Sequence, residues 1–293
     1  MSARELIRRG ADRWSAARSR NGDDTAALMP AGKILHPGYR VIGRLAHGRR
    51  LDTYDCYDEV RDCRVIVKML RPDRLDDDRV RRAVIQEGEI VTTLAHPHLV
   101  RGLDRFASPV PGIVLQMLGG ATLAAIIEDE VLDVASSAQL GLQLASVLGY
   151  LHRNGWLHLD LKPPNVIVSD GQAILIDLSL AGRPGGGRPG AGTRGYLAPE
   201  QALGCGLGSA TDVWGLGVTL IESLTGELPF GDEATWDSRC RLPVLPRRKP
   251  VFPPQLPAHV PAAYRKLLVA MLERDPDLRP SLSEIKDVLV DHR

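Results

Sequence analysis

Residues 158–166 read HLDLKPPNV, and this stretch joins two apolar segments with a loop that carries Asp160, Lys162 and Asn165. An aspartate can accept the proton of an alcohol, and a lysine can steady a phosphoryl group in transit. An asparagine five residues after the aspartate can hold a magnesium ion. The three side-chain types at this spacing describe phosphoryl transfer to a hydroxyl.

Other segments on either side of the loop carry chemistry of the same kind. VIVK ends a strand-like run at Lys68, and a lysine buried there requires a counter-charge. Residues 77–94 have helical spacing and offer Glu87, with Glu89 as the alternative partner. ILIDLSL places Asp177 at the end of a hydrophobic strand, YLAPE spans 196–200, DVWGLG begins at Asp212, and DPDLRPS contains Arg279. Each motif alone is weak, but nine such residues in one order are specific.

Together these segments resemble the eukaryotic-like (bacterial) serine/threonine protein kinases over roughly residues 38–290, through H-R-D-L-x-x-x-N, V-A-I-K, D-F-G and A-P-E. The resemblance implies an α+β, two-lobed protein kinase fold. A small antiparallel β-sheet lobe with one main helix would precede a larger, mainly helical lobe. It implies ATP and Mg2+ (or Mn2+) as cofactors and a protein Ser/Thr hydroxyl as acceptor. Asp160 would take the hydroxyl proton, Lys162 would stabilise the phosphoryl group, and Asn165 and Asp177 would hold the metal. Lys68 with Glu87 would position the ATP phosphates. Leu45, Ala46, Gly48, Thr53, Ile66, Leu115, Gln116, Leu118 and Ile167 would complete the nucleotide site, Leu115 guarding its back and Gln116 and Leu118 offering hinge groups. Glu200 would pair with Arg279, Asp212 would brace the catalytic loop, and Thr193 would bond Asp160 and Lys162 as in serine/threonine kinases.

The domain reading is a basic and polar tail at 1–37, a first lobe at 38–118 and a second at 119–293. The tail carries several arginines and has Leu6, Ile7 and Trp14 available for a short docking helix, and it is the candidate contact for a regulatory partner. YRVIGRL, DTYDCYD and CRVIVKML read as strands, as do 99–106 and 112–117. The second lobe is helical around SSAQLGLQLASVLGYLHRNG and TDVWGLGVTLIESLTG, with a proline-rich loop at 243–261. A net charge of +1 over 293 residues predicts no affinity for nucleic acid or membranes. No apolar run is long enough to span a bilayer. Four cysteines without CxxC spacing fit a reducing cytoplasm, with Cys56 and Cys63 read as buried thiols.

Two departures from the family pattern shape the expected function. The glycine-rich loop should read G-x-G-x-x-G-x-V, yet AHGRRLDT (46–53) keeps only Gly48. Ile66 replaces a small alanine, so ATP should bind more weakly than is usual, with Arg49 and Arg50 as candidate phosphate contacts. Second, Leu159 replaces the arginine before the catalytic aspartate, and Ser179 replaces the D-F-G glycine. The segment between Asp177 and Glu200 has only Ser179, Thr193 and Tyr196 as hydroxyls. A switching phosphate needs arginine partners, so loop phosphorylation is not expected to control activity. The alternative reading is a pseudokinase or ATP-binding scaffold, favoured by the altered loop and opposed by the intact transfer residues.

Overall fold

Period-2 alternation in residues 39–70 builds three long strands. The computed structural model, which describes residues 29–230 and 256–293, places them as β2 (Tyr39–His47), β3 (Leu51–Asp58) and β4 (Cys63–Leu70). With β1 (Ile34–His36), β5 (Gly102–Phe106) and β6 (Gly112–Gln116) they form an antiparallel sheet ordered β1-β2-β3-β4-β6-β5. The sheet therefore begins at Ile34, inside the stretch read as tail; three residues are too few for alternation to register. Contacts divide the chain into two compact units after Ala121, just beyond the Gly119–Gly120 boundary.

Alternation gives the sheet two distinct faces. Tyr39, Val41, Tyr54, Cys56, Val65, Val67 and Val114 form one buried apolar cluster. Burial in that cluster pushes the Cys56 thiol up to about 12, and the nearby Asp55 carboxylate adds to the effect. Register puts Ala46 opposite Thr53, Thr53 opposite Lys68, and Ile66 opposite Leu115, so these candidates share the other face. Cys63 is exposed, contrary to the expected pair of buried thiols, because it sits opposite Asp58 beside the turn that joins β3 to β4.

Helix α1 (Asp78–Thr93) starts where the Asp77 side chain accepts the N–H groups of Arg79 and Val80. Its buried stripe includes Val80, Val84, Glu87 and Val91, so helical spacing alone turns Glu87 inward.

In the second unit, α2 (Leu123–Asp129) and α3 (Val134–Arg153) precede the loop that carries Asp160, Lys162 and Asn165. A β-hairpin (Val166–Ser169 with Gln172–Leu175), the short α4 (Pro199–Leu203), α5 (Ser209–Thr225), α6 (Ala262–Met271) and α7 (Leu282–Val290) follow. Helix α5 is buried along most of its length, the apolar run from Val213 to Ile221 being bounded by Asp212 and Glu222. The Gln143 amide on α3 donates to Gly171 O at 2.9 Å and accepts from Ala173 N at 2.6 Å, fixing the hairpin turn. Among the described residues, no helix is long and apolar enough to cross a membrane. The proposed N-terminal docking helix, Cys240 and most of the proline-rich loop lie outside the described residues.

Candidate active site

The catalytic loop is held from beneath by one carboxylate. Asp212, in the first turns of α5, accepts the backbone N–H of His158 on Oδ2 and that of Leu159 on Oδ1, both at 2.8 Å. His152 Nε2 lies 2.8 Å from the same Oδ2. Burial alone would raise the Asp212 pKa. The contact with His152, the nearby His158 and the Leu159 N–H together pull it below the ordinary carboxylate range. Leu159 has φ +64, in the left-handed region that a branched side chain disfavours, and the Asp212 bonds hold it there. Its side chain lies against Gly182, so the position occupied by arginine in the family is an apolar contact here.

The next residue is Asp160, whose carboxylate is bonded by Thr193, Lys162 and Asn165. Thr193 Oγ1 donates to Asp160 Oδ1 at 2.7 Å, Lys162 Nζ donates to Oδ2 at 2.7 Å, and Lys162 also bonds Thr193 Oγ1. Asn165 Nδ2 donates to the Asp160 carbonyl at 2.8 Å and to Oδ2 at 3.2 Å. Both carboxylate oxygens are thereby fixed in direction. An ammonium has three N–H donors; two serve this network, which leaves one for a phosphoryl oxygen.

The metal-ligand candidates meet at the base of the hairpin. Ile176 N donates to Asn165 O at 3.0 Å, which brings Asn165 beside the residue that precedes Asp177. Asn165 Oδ1 is buried and receives no hydrogen bond from the described residues, while its amide nitrogen is engaged. An unpaired buried carbonyl oxygen is costly unless a cation completes it, so the donor set fits a hard, oxygen-seeking ion such as Mg2+. Asp177 Oδ1 accepts Ser179 N at 3.0 Å, and Ser179 has no positive φ, so this backbone does not require the missing glycine. Ile167 lies half-buried on the first hairpin strand.

In the first unit, Lys68 Nζ meets Glu87 Oε1 at 2.8 Å with both side chains largely buried. Glu89 instead faces Arg105 at 2.9 Å on the surface. At the β2–β3 turn, Gly48 N donates to Leu51 O at 2.9 Å, and a Cβ on Gly48 would lie 2.8 Å from that oxygen. Only glycine fits there, which explains why this one of the three glycines remains. Arg71 ties the turn down through its N–H to Arg50 O and its guanidinium to Gly48 O, both at 3.1 Å. His47 and Asp52 pair across it at 2.5 Å. Arg49 and Arg50 are exposed at the tip. Leu45, Gln116 and Leu118 are half-buried, and Leu115 is buried.

The activation segment is anchored at both ends. Leu157 and Gly182 exchange backbone bonds, and the Arg183 guanidinium lies 3.7 Å over the Trp156 ring while donating to Asn154 O and Gly155 O. At the far end, Arg279 bonds both Glu200 oxygens, at 2.7 and 2.9 Å, and donates to Ala210 O and Glu273 O. Tyr196 Oη donates to Glu222, whose pKa is raised by burial against this one compensating bond.

A model of the protein kinase domain family matches residues 39–289. The chain belongs to the protein kinase domain family. It is 30% identical over 278 residues, 88% of its own length, to serine/threonine-protein kinases drp72 of Corynebacterium efficiens. Identity is 28% over 84% of the chain to serine/threonine-protein kinases PknA of Corynebacterium glutamicum. It is likewise 28%, over 85% of the chain, to the SNF1-related protein kinase catalytic subunit alpha KIN12 of Arabidopsis thaliana. The chain spans about half the length of these curated relatives: 51%, 54% and 50% in turn.

Sequence reasoning missed His152, Gln143 and Gln201. The first two lie within a long helix whose apolar periodicity hides a polar contact. Gln201 directly follows the A-P-E residues, where a glutamine has no charge to draw notice.

Because the Asp212 pKa is depressed, its contribution to stability is complete above the unfolded carboxylate value near pH ~4 and is lost as pH falls through the lower folded value. Asp212→Asn leaves the backbone N–H that faces the new amide nitrogen unsatisfied and removes the charge from the contact with His152, and should lower unfolding free energy by about 2–4 kcal/mol at neutral pH. In urea titrations that gap should shrink on acidification below pH ~4; a gap that widens there would contradict the assignment.

Proposed function

We propose that this chain transfers the γ-phosphate of ATP, as its magnesium or manganese complex, to serine and threonine hydroxyls of protein substrates. We propose further that it does so without a switching phosphate in its activation segment. The Asp160–Lys162–Thr193 network, with Asn165 Oδ1 buried and unsatisfied beside it, is the observation that carries the reading. Asp160 orients the acceptor hydroxyl and takes its proton. Lys162 directs its remaining N–H at the phosphoryl oxygens as their charge develops. Asn165 and Asp177 would hold the metal, and Lys68, kept by Glu87, would hold the α/β-phosphates. The bound metal supplies charge neutralisation along the phosphates.

Independence from loop phosphorylation rests on the hydroxyls themselves. Thr193 already donates to Asp160 and accepts from Lys162, and Tyr196 is committed to Glu222, so a phosphate on either would break the site. Leu159 presents no cation to a phosphate. Control then falls to a partner, and residues 1–37 are the candidate contact. Free cysteines at 56, 63 and 205 support a cytoplasmic location.

Incubation with γ-labelled ATP, Mg2+ and generic protein acceptors should label serine and threonine. Asp160→Asn should lower labelling by roughly a hundredfold or more. ATP binding with no protein labelling would favour a scaffold instead. The tied-down β2–β3 turn and the bulk of Ile66 should weaken ATP binding. Ile66→Ala should tighten Mg·ATP roughly fivefold by calorimetry, relief of about 1 kcal/mol of crowding; an unchanged Kd would refute the crowding argument.

A further inference from the structure

The unpaired donors and acceptors of a kinase loop that lacks both its arginine and its phosphosite must be satisfied by something else. Gln201, on α4 and only 4% exposed, has two amide N–H donors, and both are used. One reaches Leu159 O at 2.6 Å and the other Ala191 O at 2.7 Å. Leu159 directly precedes Asp160, and Ala191 lies two residues before Thr193, whose hydroxyl bonds Asp160. The backbone of Gln201 takes part too, since its carbonyl accepts Gly190 N at 3.2 Å.

We propose that Gln201 is a positioning residue that fastens the activation segment to the catalytic loop, the neutral counterpart of a phosphate–arginine pair. This rests on the reading of an unswitched kinase given above. The Leu159 peptide units are gripped on both sides, the N–H by Asp212 and the carbonyl by Gln201, and that fixes the direction in which the chain enters Asp160. The surrounding sequence makes room for the amide. Gly192 has φ +144, and a Cβ there would lie 2.9 Å from Gln201 Nε2 and 2.4 Å from Leu197 Cδ2. Gly204, at φ +74, ends α4 where a Cβ would meet Pro189 N at 2.6 Å and Gly187 O at 2.7 Å, and Gly187 N donates to Gly204 O. The glycines of GRPGGGRPGAGTRG thus bring the segment against the short helix that carries Gln201. A carboxamide suits this place because two carbonyl oxygens need two donors, and a neutral group needs no buried counter-charge.

The test compares wild type with Gln201→Met, which keeps length and removes the donors, and with Gln201→Glu, which keeps shape and faces two carbonyls with a carboxylate. Readouts are kcat and KM for Mg·ATP, the pH profile, thermal melting, and tryptic cleavage after Arg194, the arginine of this segment that is not followed by proline. Gln201→Met should lose roughly ten- to a hundredfold in kcat with KM for ATP little changed, the mark of a misplaced catalytic group. It should also be cleaved faster within the segment, by more than its loss in melting temperature accounts for. A carboxyl desolvated beside two carbonyls has a raised pKa and, once protonated, regains one O–H donor. The activity of Gln201→Glu relative to wild type should therefore climb from pH ~8 to pH ~6. Overturning results are Gln201→Met equal to wild type in kcat and cleavage, or a flat pH ratio with losses that track melting, which would limit Gln201 to folding. If wild type works only when mass spectrometry finds phosphate between 179 and 196, or transfers no label at all, the unswitched or the kinase reading fails separately. The cleavage rates of Gln201→Met then still decide for or against the clamp.

Discussion

The buried carboxylate of Asp212 is the constraint on which the catalytic loop depends. Helix α5 buries this carboxylate where two consecutive backbone N–H groups and a histidine converge. Without it Leu159 would have no reason to adopt a left-handed backbone, and Asp160 would not point toward Thr193. Strain of that kind persists only when the surroundings over-determine it, and it marks functional sites. The Glu200–Arg279 pair extends the same logic to the far end of the activation segment. Its guanidinium also bonds the carbonyls of Ala210 and Glu273, and it stacks 5.0 Å from the Trp214 ring. A buried ion pair is retained here with all its donors occupied, the condition under which such a pair can be sustained.

Between its ends the activation segment is held mainly by backbone pairing and close packing. Backbone pairs at Leu157–Gly182 and Gly185–Leu207, the Arg183–Trp156 stack and the Gln201 amide order a stretch that reads as a flexible linker by composition. Glycine has the opposite meaning at these positions. Gly192 and Gly204 are needed because no side chain fits, so a composition usually associated with looseness here permits tight packing. The β2–β3 turn in the first unit shows the same economy, with the one retained glycine at the one place where a Cβ would strike a carbonyl.

Much of this was legible in the sequence. The transfer residues were readable because each is a chemically unusual residue at a fixed offset inside an apolar context, and Glu87 because helical spacing puts it on the buried stripe. The long strands followed from alternation. What stayed hidden shares a physical cause: it depends on contacts between distant segments made by residues of ordinary type. Gln201 reaches back to Leu159, His152 reaches across to Asp212, and Gln143 grips a hairpin turn, and no local pattern announces any of them. The strand Ile34–His36 was too short to show a period, and Cys63 went unrecognised as exposed because strand alternation fails at a hairpin end.

The central claim is that transfer chemistry survives with no phosphate to switch it. Its most direct test is the initial rate of transfer from γ-labelled ATP by full-length protein, before and after treatment with a phosphatase that is then removed. The account predicts rates equal within about twofold and no lag, since no activating phosphate has been lost. A fall of roughly tenfold or more that recovers during incubation with ATP would contradict it, because recovery would mean that the segment must be phosphorylated to work.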